Sequence, residues 1–450
     1  MITADGLSML ALLGLGIVLT AQSRCLQIRK LPFILKHTVG TLLSRDSADS
    51  KGISPFQAVT TALAGTMGVG NIAGVATAIV AGGPGAIFWM WVSAFFGMAT
   101  KYAEIYLAVL YRKRGRDGSY QGGPMHYITQ GLGKQWLAVL FAVFCVTCSF
   151  GVGNMTQANA VSTAMETAFS IPLWLTGLGA ALCVVLVVFG GVKRIARCTE
   201  LVIPFVSVLY LCVAGVCLYQ NRSLLPGALT LIMKSAFGMR EAAGGVLGYS
   251  VSGAVQLGLS RGVFTNEAGL GSAPIAHAAA DTKSPAHQGA WGVFEVFLDT
   301  IVVCTVTALV ILTAGGGTLW QSGADGAPLT SLAFAATLGD WGTRFIAVSI
   351  ALFAIPSMLG WCFYGESALS WLTDGNKRAI AVYRILFVVG IGVGAVSGSR
   401  LVWAAADTLN ALMAAPNIIA VFLLRRQVLA PNAVFSTKQP RDFHRSQYAK

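Results

Sequence analysis

Charge is what this chain has least of. Only 11% of its 450 residues are Asp, Glu, Lys or Arg, where a soluble domain carries roughly 25%. Histidine is scarcer, and His37, His126, His277, His287 and His444 include no pair with metal-ligand spacing, which excludes a histidine-built metal centre. No glycine-rich loop ends in the Lys-Ser/Thr of a nucleotide site, so there is no ATP engine. No catalytic constellation stands out that would point to an enzyme. Cysteine occurs nine times, mostly inside apolar runs. Cys145-x-x-Cys148 has neither a second pair nor a nearby histidine, so it reads as small buried residues rather than a redox pair.

What fills the chain instead is apolar surface and glycine: 55% hydrophobic residues and 52 glycines. A helix needs about 20 apolar residues to cross a bilayer. Such stretches fall near 7–22, 55–80, 86–111, 136–165, 173–192, 198–219, 243–280, 289–313, 343–371, 379–397 and 402–424. The chain therefore reads as an all-α polytopic membrane protein whose partner is the lipid bilayer.

A net charge of +13 suggests nucleic acid until its distribution is followed. The basic residues gather in alternate connections: Arg24 to Lys51, Arg112 to Arg116, Lys193 to Arg197, Lys377 and Arg378, and the tail from Arg425 to Lys450. The intervening connections at 81–85, 166–172 and 314–342 carry almost none. That is the positive-inside pattern, with the N-terminus outside and the tail in the cytoplasm. It leaves no nucleic-acid partner. The 220–242 connection, with Arg222, Lys234 and Arg240, does not fit it. Residues 1–24 lack a positive start and place their basic residues after the apolar run, as an uncleaved N-out leading helix does.

Beyond that leading helix, ten spans divide into two fives. The expected units are 55–219 and 243–424, followed by a basic tail at 425–450. Five is odd, so the second set enters from the opposite side, an inverted repeat. Each five opens with a glycine-rich interruption. The first runs Gly65-Thr66-Met67-Gly68-Val69-Gly70-Asn71-Ile72-Ala73-Gly74, and the second from Gly258 through Arg261, Phe264, Thr265, Asn266 and Glu267 to Pro274. Unwound backbone at bilayer depth survives only beside a cavity or within protein. A pair of broken helices in corresponding positions points to a transporter's binding site. Gly70-x-x-x-Gly74 also fits a helix-packing motif, and the pairing of the two breaks favours the site.

The amides of Val69, Gly70 and Asn71 can hold a substrate carboxylate without a full positive charge. The carbonyls around Ala64 and Met67 can face a small hard cation such as sodium. Arg261 and Glu267 in the second break are costly at membrane depth, and read either as a gate or as a pair that neutralises itself. Asn154 and Gln157, three apart, are expected on one helical face. Pro356 frees a carbonyl, and Ser357 and Trp361, four apart, share a face. Lys101 and Glu104 are expected to pair near a helix end, and Glu166, Glu366 and Asp407 to sit near span ends. Glu295 and Asp299 are the carboxylates to consider if the coupling ion is a proton.

Taken together these stretches resemble the alanine or glycine:cation symporter family, the bacterial sodium:alanine symporters. The resemblance rests on Gly70–Ala76, Gly82–Trp91, Gly122-Gly123-Pro124-Met125, Gly153-Asn154-Met155, Arg261–Pro274, and Gly360-Trp361 through Glu366. It spans nearly the whole chain. It implies a LeuT-type inverted five-helix repeat with discontinuous first and sixth core helices. The chain is expected to act as a monomer in the bacterial inner membrane, with no cofactor. The implied activity is sodium-driven uptake of alanine or glycine by alternating access, with a proton-coupled neutral amino-acid carrier as the alternative. By position, Val69, Gly70 and Asn71 would receive the carboxylate. Gln157, Phe264, Asn266, Ser357 and Trp361 would shape the pocket, and sodium would sit near Ala64, Met67 and Ser357.

Overall fold

The computed structural model describes residues 4–38, 40, 53–115, 118–238, 251–282 and 284–429. The expected start of the seventh span before residue 251, and the tail beyond 429, lie outside them.

Helix α1 (Ala4–Gln22) leads. The first interrupted span follows as α2 (Pro55–Thr66), a 3₁₀ turn at Val69–Asn71, and α3 (Ala73–Gly82). Its start is written locally. Ser54 caps the Gln57 amide, Gln57 returns the bond to Ser54, and Pro55 fills the first turn where no donor is needed. Helix α4 (Ala86–Leu110) ends in a two-stranded hairpin, β1 (Lys113–Arg114) with β2 (Tyr120–Gln121), followed by the short α5 (Pro124–Leu132).

Next come α6 (Gln135–Phe150) and α7 (Thr156–Phe169), joined without a break by a π turn at Gly151–Met155. Helices α8 (Leu173–Val188) and α9 (Val192–Gln220) complete the first set. Lys193, Arg194 and Arg197, expected in a loop, thus belong to the opening turns of α9. The troublesome 220–242 connection is partly helical, as α10 (Leu225–Ala236). Its Arg240 lies outside the described residues.

The second interrupted span is α11 (Val251–Asn266) and α12 (Ala273–Ala278). The break is narrower than the sequence suggested: Gly258 to Gly262 are helical, and only Glu267–Ser272 is unwound. Glu267 takes φ 53°, Gly269 φ 88° and Gly271 φ 81°. Left-handed backbone is easy for glycine and costs a glutamate of order 1 kcal/mol, so something must hold Glu267 there.

Helices α13 (Pro285–Val296) and α14 (Thr305–Thr313) run on through a π stretch at Phe297–Cys304. Then follow α15 (Gly326–Leu338), α16 (Asp340–Leu372), α17 (Lys377–Val396) and α18 (Ser399–Leu429). Pro356 sits inside α16 without ending it.

Among the described residues six helices are long and apolar enough to span alone: 135–169, 192–220, 285–317, 340–372, 377–396 and 399–428. The other five expected spans are α1, α4, α8 and the two broken pairs. Helix α4 packs along α11 and α13, α16 along α2 and α6, and α1 against α4 and α18. Leu178, Leu186, Leu201, Phe205 and Ile385 stay exposed, as a lipid-facing rim requires. The centre is close-packed around both breaks.

Candidate functional site

The first break is walled by two helices from elsewhere in the chain. The Val69 amide donates to Gln157 Oε1 at 3.2 Å, and Gln157 Nε2 donates to the Val152 carbonyl at 3.2 Å. Ser357 Oγ donates to the Gly65 carbonyl at 3.2 Å. That carbonyl has lost its helical partner because α2 stops one residue later. Gly68 lies where these meet: a Cβ there would fall 2.8 Å from Gln157 Oε1 and 3.1 Å from Ser357 Oγ. Gly70 faces Thr265 and Phe264 of the second break, with a Cβ meeting Thr265 Cγ2 at 2.9 Å. Gly74 has open space around its Cα. The close approach therefore belongs to Gly68 and Gly70, and Gly74 does not act as the second half of a packing motif.

Asn154 and Gln157 do not share a role. Asn154 donates to the Phe387 carbonyl on α17, while Gln157 turns to the first break. Between them the π turn ends, which spoils the three-residue rule. Gly153 in that turn lies against Trp361, where a Cβ would come within 2.0 Å of Trp361 Cβ. Trp361 is thereby pinned from behind, and its indole donates to Glu267 Oε1 at 2.9 Å. Ser272 Oγ donates to the other oxygen, Glu267 Oε2, at 2.5 Å. These bonds hold Glu267 in its left-handed conformation. Asn266 caps the same break, its Oδ1 accepting from the Ala268 amide at 3.0 Å.

Arg261 and Glu267 do not neutralise one another. Arg261 reaches α18, with Nη1 and Nη2 on the two oxygens of Asp407 at 3.2 and 2.9 Å. Its guanidinium carbon stands 5.1 Å from the Trp403 ring, and that ring lies 5.1 Å from Phe264. Trp403 and Asp407, four apart on α18, form a lid over Phe264 that residue types alone did not reveal. Helical spacing in the last span was the only available signal.

Lys101 and Glu104 correct a second expectation. Both are fully buried, not snorkelling at a helix end. Lys101 pairs with Glu295 at 3.3 Å, and Glu295 also meets His277 Nε2 at 3.0 Å. Gln288 holds the other face of His277 at 2.8 Å. Glu104 instead accepts from the Gly269 amide at 3.2 Å and from Asn417 at 2.9 Å, steadying the second break from below. Glu366 pairs with Arg384 at 2.7 Å. Cys145 and Cys148 are buried and face different partners, Tyr364 and Asn410.

A cavity of about 420 Å³ opens at the end of the bundle where α2 begins and α16 ends, lined by Gln121, His126, Ile275, Phe363 and Trp371 among others. Burial, with Lys113 adding to it, pushes the His126 pKa down to about 4, so its lining face is neutral near pH 7. Arg112 fastens this end by donating to the carbonyls of Ala278, Ala280 and Thr282. The sequence Gly258-Leu259-Ser260-Arg261-Gly262 has the spelling of a hydrolase nucleophile elbow. It lies inside helix α11, with none of the strand-to-helix turn that such an elbow requires.

Two broken helices facing each other across a core of long helices, with polar side chains turned onto the unwound backbone, define a secondary transporter. Solved structures agree on the fold. MhsT in complex with L-phenylalanine superposes with a TM-score of 0.59 at 13% identity, over 84% of this chain and 90% of that one. A sodium-coupled sialic acid symporter gives 0.60 at 12% identity, over 94% and 88%. Both have the LeuT fold, and so does this chain.

The family follows from sequence. A model of the sodium:alanine symporter family matches residues 2–449. The sodium/alanine symporter AgcS of Methanococcus maripaludis is 43% identical, over 94% of this chain and 93% of its own length. The probable sodium/glutamine symporter GlnT of Bacillus subtilis is 42% identical, over 93% and 85%. The chain belongs to the sodium:alanine symporter family, and so is a sodium-coupled amino-acid symporter of the membrane, not an enzyme.

Proposed function

We propose that this chain imports small neutral amino acids, alanine and glycine foremost, with sodium by alternating access. The observation that carries the reading is the convergence of Gln157 and Ser357 on the unwound Gly68–Asn71 backbone. The amides of Val69, Gly70 and Asn71 would receive the carboxylate at the start of α3, where the helix end favours negative charge. The Gly65 carbonyl, the backbone from Ala64 to Met67 and the Ser357 hydroxyl offer sodium an uncharged oxygen set on two helices. Phe264, Trp361 and Asn266 close the remaining sides, and their bulk favours a short side chain.

The sides of the membrane follow from the basic loops. With the N-terminus outside and the tail in the cytoplasm, the 420 Å³ cavity is a cytoplasmic vestibule. Arg261, Asp407, Phe264 and Trp403 then close the outer side, so the conformation faces inward. The units 55–219 and 243–424 act as the two inverted repeats, in a monomer of the bacterial inner membrane.

The test is uptake of labelled L-alanine into proteoliposomes under an inward sodium gradient and under a matched potassium gradient. Accumulation is expected only with sodium, and Ser357→Ala is expected to raise the sodium needed for half-maximal uptake about tenfold or more. Accumulation that ignores sodium and collapses with a protonophore would overturn the sodium assignment. Accumulation of glutamine but not alanine would overturn the substrate.

A further inference from the structure

An apolar groove of about 320 Å³ runs between α1 and α18, lined by Gly14, Leu15 and Val18 on one side and Ile419, Phe422 and Leu423 on the other, among others. It shares no lining residue with the 420 Å³ cavity. Two glycines of α1 show how it arises. A Cβ on Gly16 would meet the Phe96 carbonyl at 2.8 Å, so Gly16 lets α1 lie against α4. Gly14 is turned about 200° from it around the helix. A Cβ on Gly14 would meet nothing within 4 Å, so the space that this glycine opens is filled by no side chain among the described residues.

The groove has a definite depth. Leu12 packs on Gly269 of the second break, and Asn417 donates to the Gly269 carbonyl at 2.8 Å, so α1 and α18 meet the break at one level. Breaks of this kind lie near the bilayer midplane. From Asn417 to Arg425 is about 12 Å along the helix, and the hydrocarbon layer of one leaflet is about 15 Å deep. The groove therefore runs from the midplane to the headgroup level of one leaflet.

Its headgroup end is basic. The Arg425 guanidinium carbon stands 4.1 Å from the Phe422 ring, and Nη1 donates to the Phe422 carbonyl at 2.6 Å. Arg425 Nε is buried without a hydrogen-bond partner among the described residues. No described carboxylate pairs with Arg425, Arg426 or Arg24. Tyr111 donates to Gln427 and so fixes the rotation of this last turn of α18. Neither helix carries an acidic residue over 6–22 or 408–429. The open end calls for an anion from outside the chain and the groove calls for hydrocarbon, and an anionic phospholipid supplies both. A second copy docking by the same face would set like charges side by side at one depth.

We propose that this groove holds an acyl chain of one anionic phospholipid, with its phosphate on Arg425 and with Arg426 and Arg24 adding charge at the same end. The lipid wedges α1 to α18 and so steadies the seat of Leu12 on the second break.

Native mass spectrometry of the purified full chain in a neutral detergent, titrated with phosphatidylglycerol and separately with phosphatidylcholine, tests it. One phosphatidylglycerol per chain is expected to bind ahead of the rest, about fivefold or more tighter than phosphatidylcholine. Arg425→Gln should erase that preference, and Arg378→Gln, at the start of α17, should leave it. Gly14→Leu fills the groove and should weaken the first binding of both lipids about tenfold, with thermal unfolding of the lipid-free protein unchanged. Inorganic phosphate should not displace the lipid. Equal binding of the two lipids, a preference that survives Arg425→Gln, or displacement by phosphate alone would each overturn the site. A wild-type dimer that Gly14→Leu converts to monomer would give the groove to a second copy instead. Should Gly14→Leu prove unstable, the loss of preference in Arg425→Gln against Arg378→Gln decides the matter.

Discussion

Replacing Glu295 by alanine is expected to destabilise the protein by about 3–5 kcal/mol, the usual cost of stranding one member of a buried ion pair. Lys101 and Glu295 are both fully buried, and among the described residues the ammonium has no hydrogen bond beyond this contact. His277, itself buried, would lose the carboxylate that orients it. Lys101→Met alone should be nearly as harmful, because it leaves the carboxylate with only a histidine. The double variant Lys101→Met with Glu295→Gln removes both charges and should recover part of the loss. The sum of the single effects would then exceed the double by a coupling of roughly 0.5–3 kcal/mol. Thermal unfolding of the detergent-solubilised protein measures all three. Additive losses would mean that the pair is not the element holding α4 to α13.

Gly68→Ala is expected to abolish uptake while leaving the protein folded. The backbone at Gly68 has φ −122°, outside the left-handed region that favours glycine. The added methyl group would instead meet Gln157 Oε1, Gln157 Nε2 and Ser357 Oγ within about the same 3 Å shell, at 2.8, 3.1 and 3.1 Å. Both side chains must retreat, and the 3.2 Å bonds to the Val69 amide and the Gly65 carbonyl go with them. A loss of at least about tenfold in uptake corresponds to roughly 1.4 kcal/mol at the site. Gly74→Ala, six residues on and with open space around it, should transport normally. Equal losses in the two variants would place the effect in helix packing.

The interruptions were legible in the sequence because lipid allows so few ways of breaking a helix. Glycines mixed with Asn and hydroxyls in two matching places left little else for Gly68–Asn71 and Glu267–Gly271 to be. The junctions with Gln157, Ser357 and Trp361 were legible for a related reason, since a polar group in an apolar span needs an inward partner. The identity of those partners was not. Arg261 found Asp407 and Lys101 found Glu295, each on a distant helix, while the nearer Glu267 and Glu104 turned elsewhere. Proximity along the chain is a poor guide where helix packing sets the distances. The two π stretches escaped for a different reason: they keep helical composition and shift only the register, so Asn154 left the face of Gln157 without any change of residue type.

Helix α1 carries one further consequence. Its Leu12 fills the space beside Gly269, where an added Cβ would come within 2.2 Å of Leu12 Cδ2. Helix α1 thus has its seat on a turn that is synthesised only after the whole first set of helices. During biosynthesis it must wait in the membrane, with that flank against lipid or the insertion machinery, until the second half arrives. The order of translation and the order of assembly therefore differ for α1, which is made before the first set of helices and finished only after the second break.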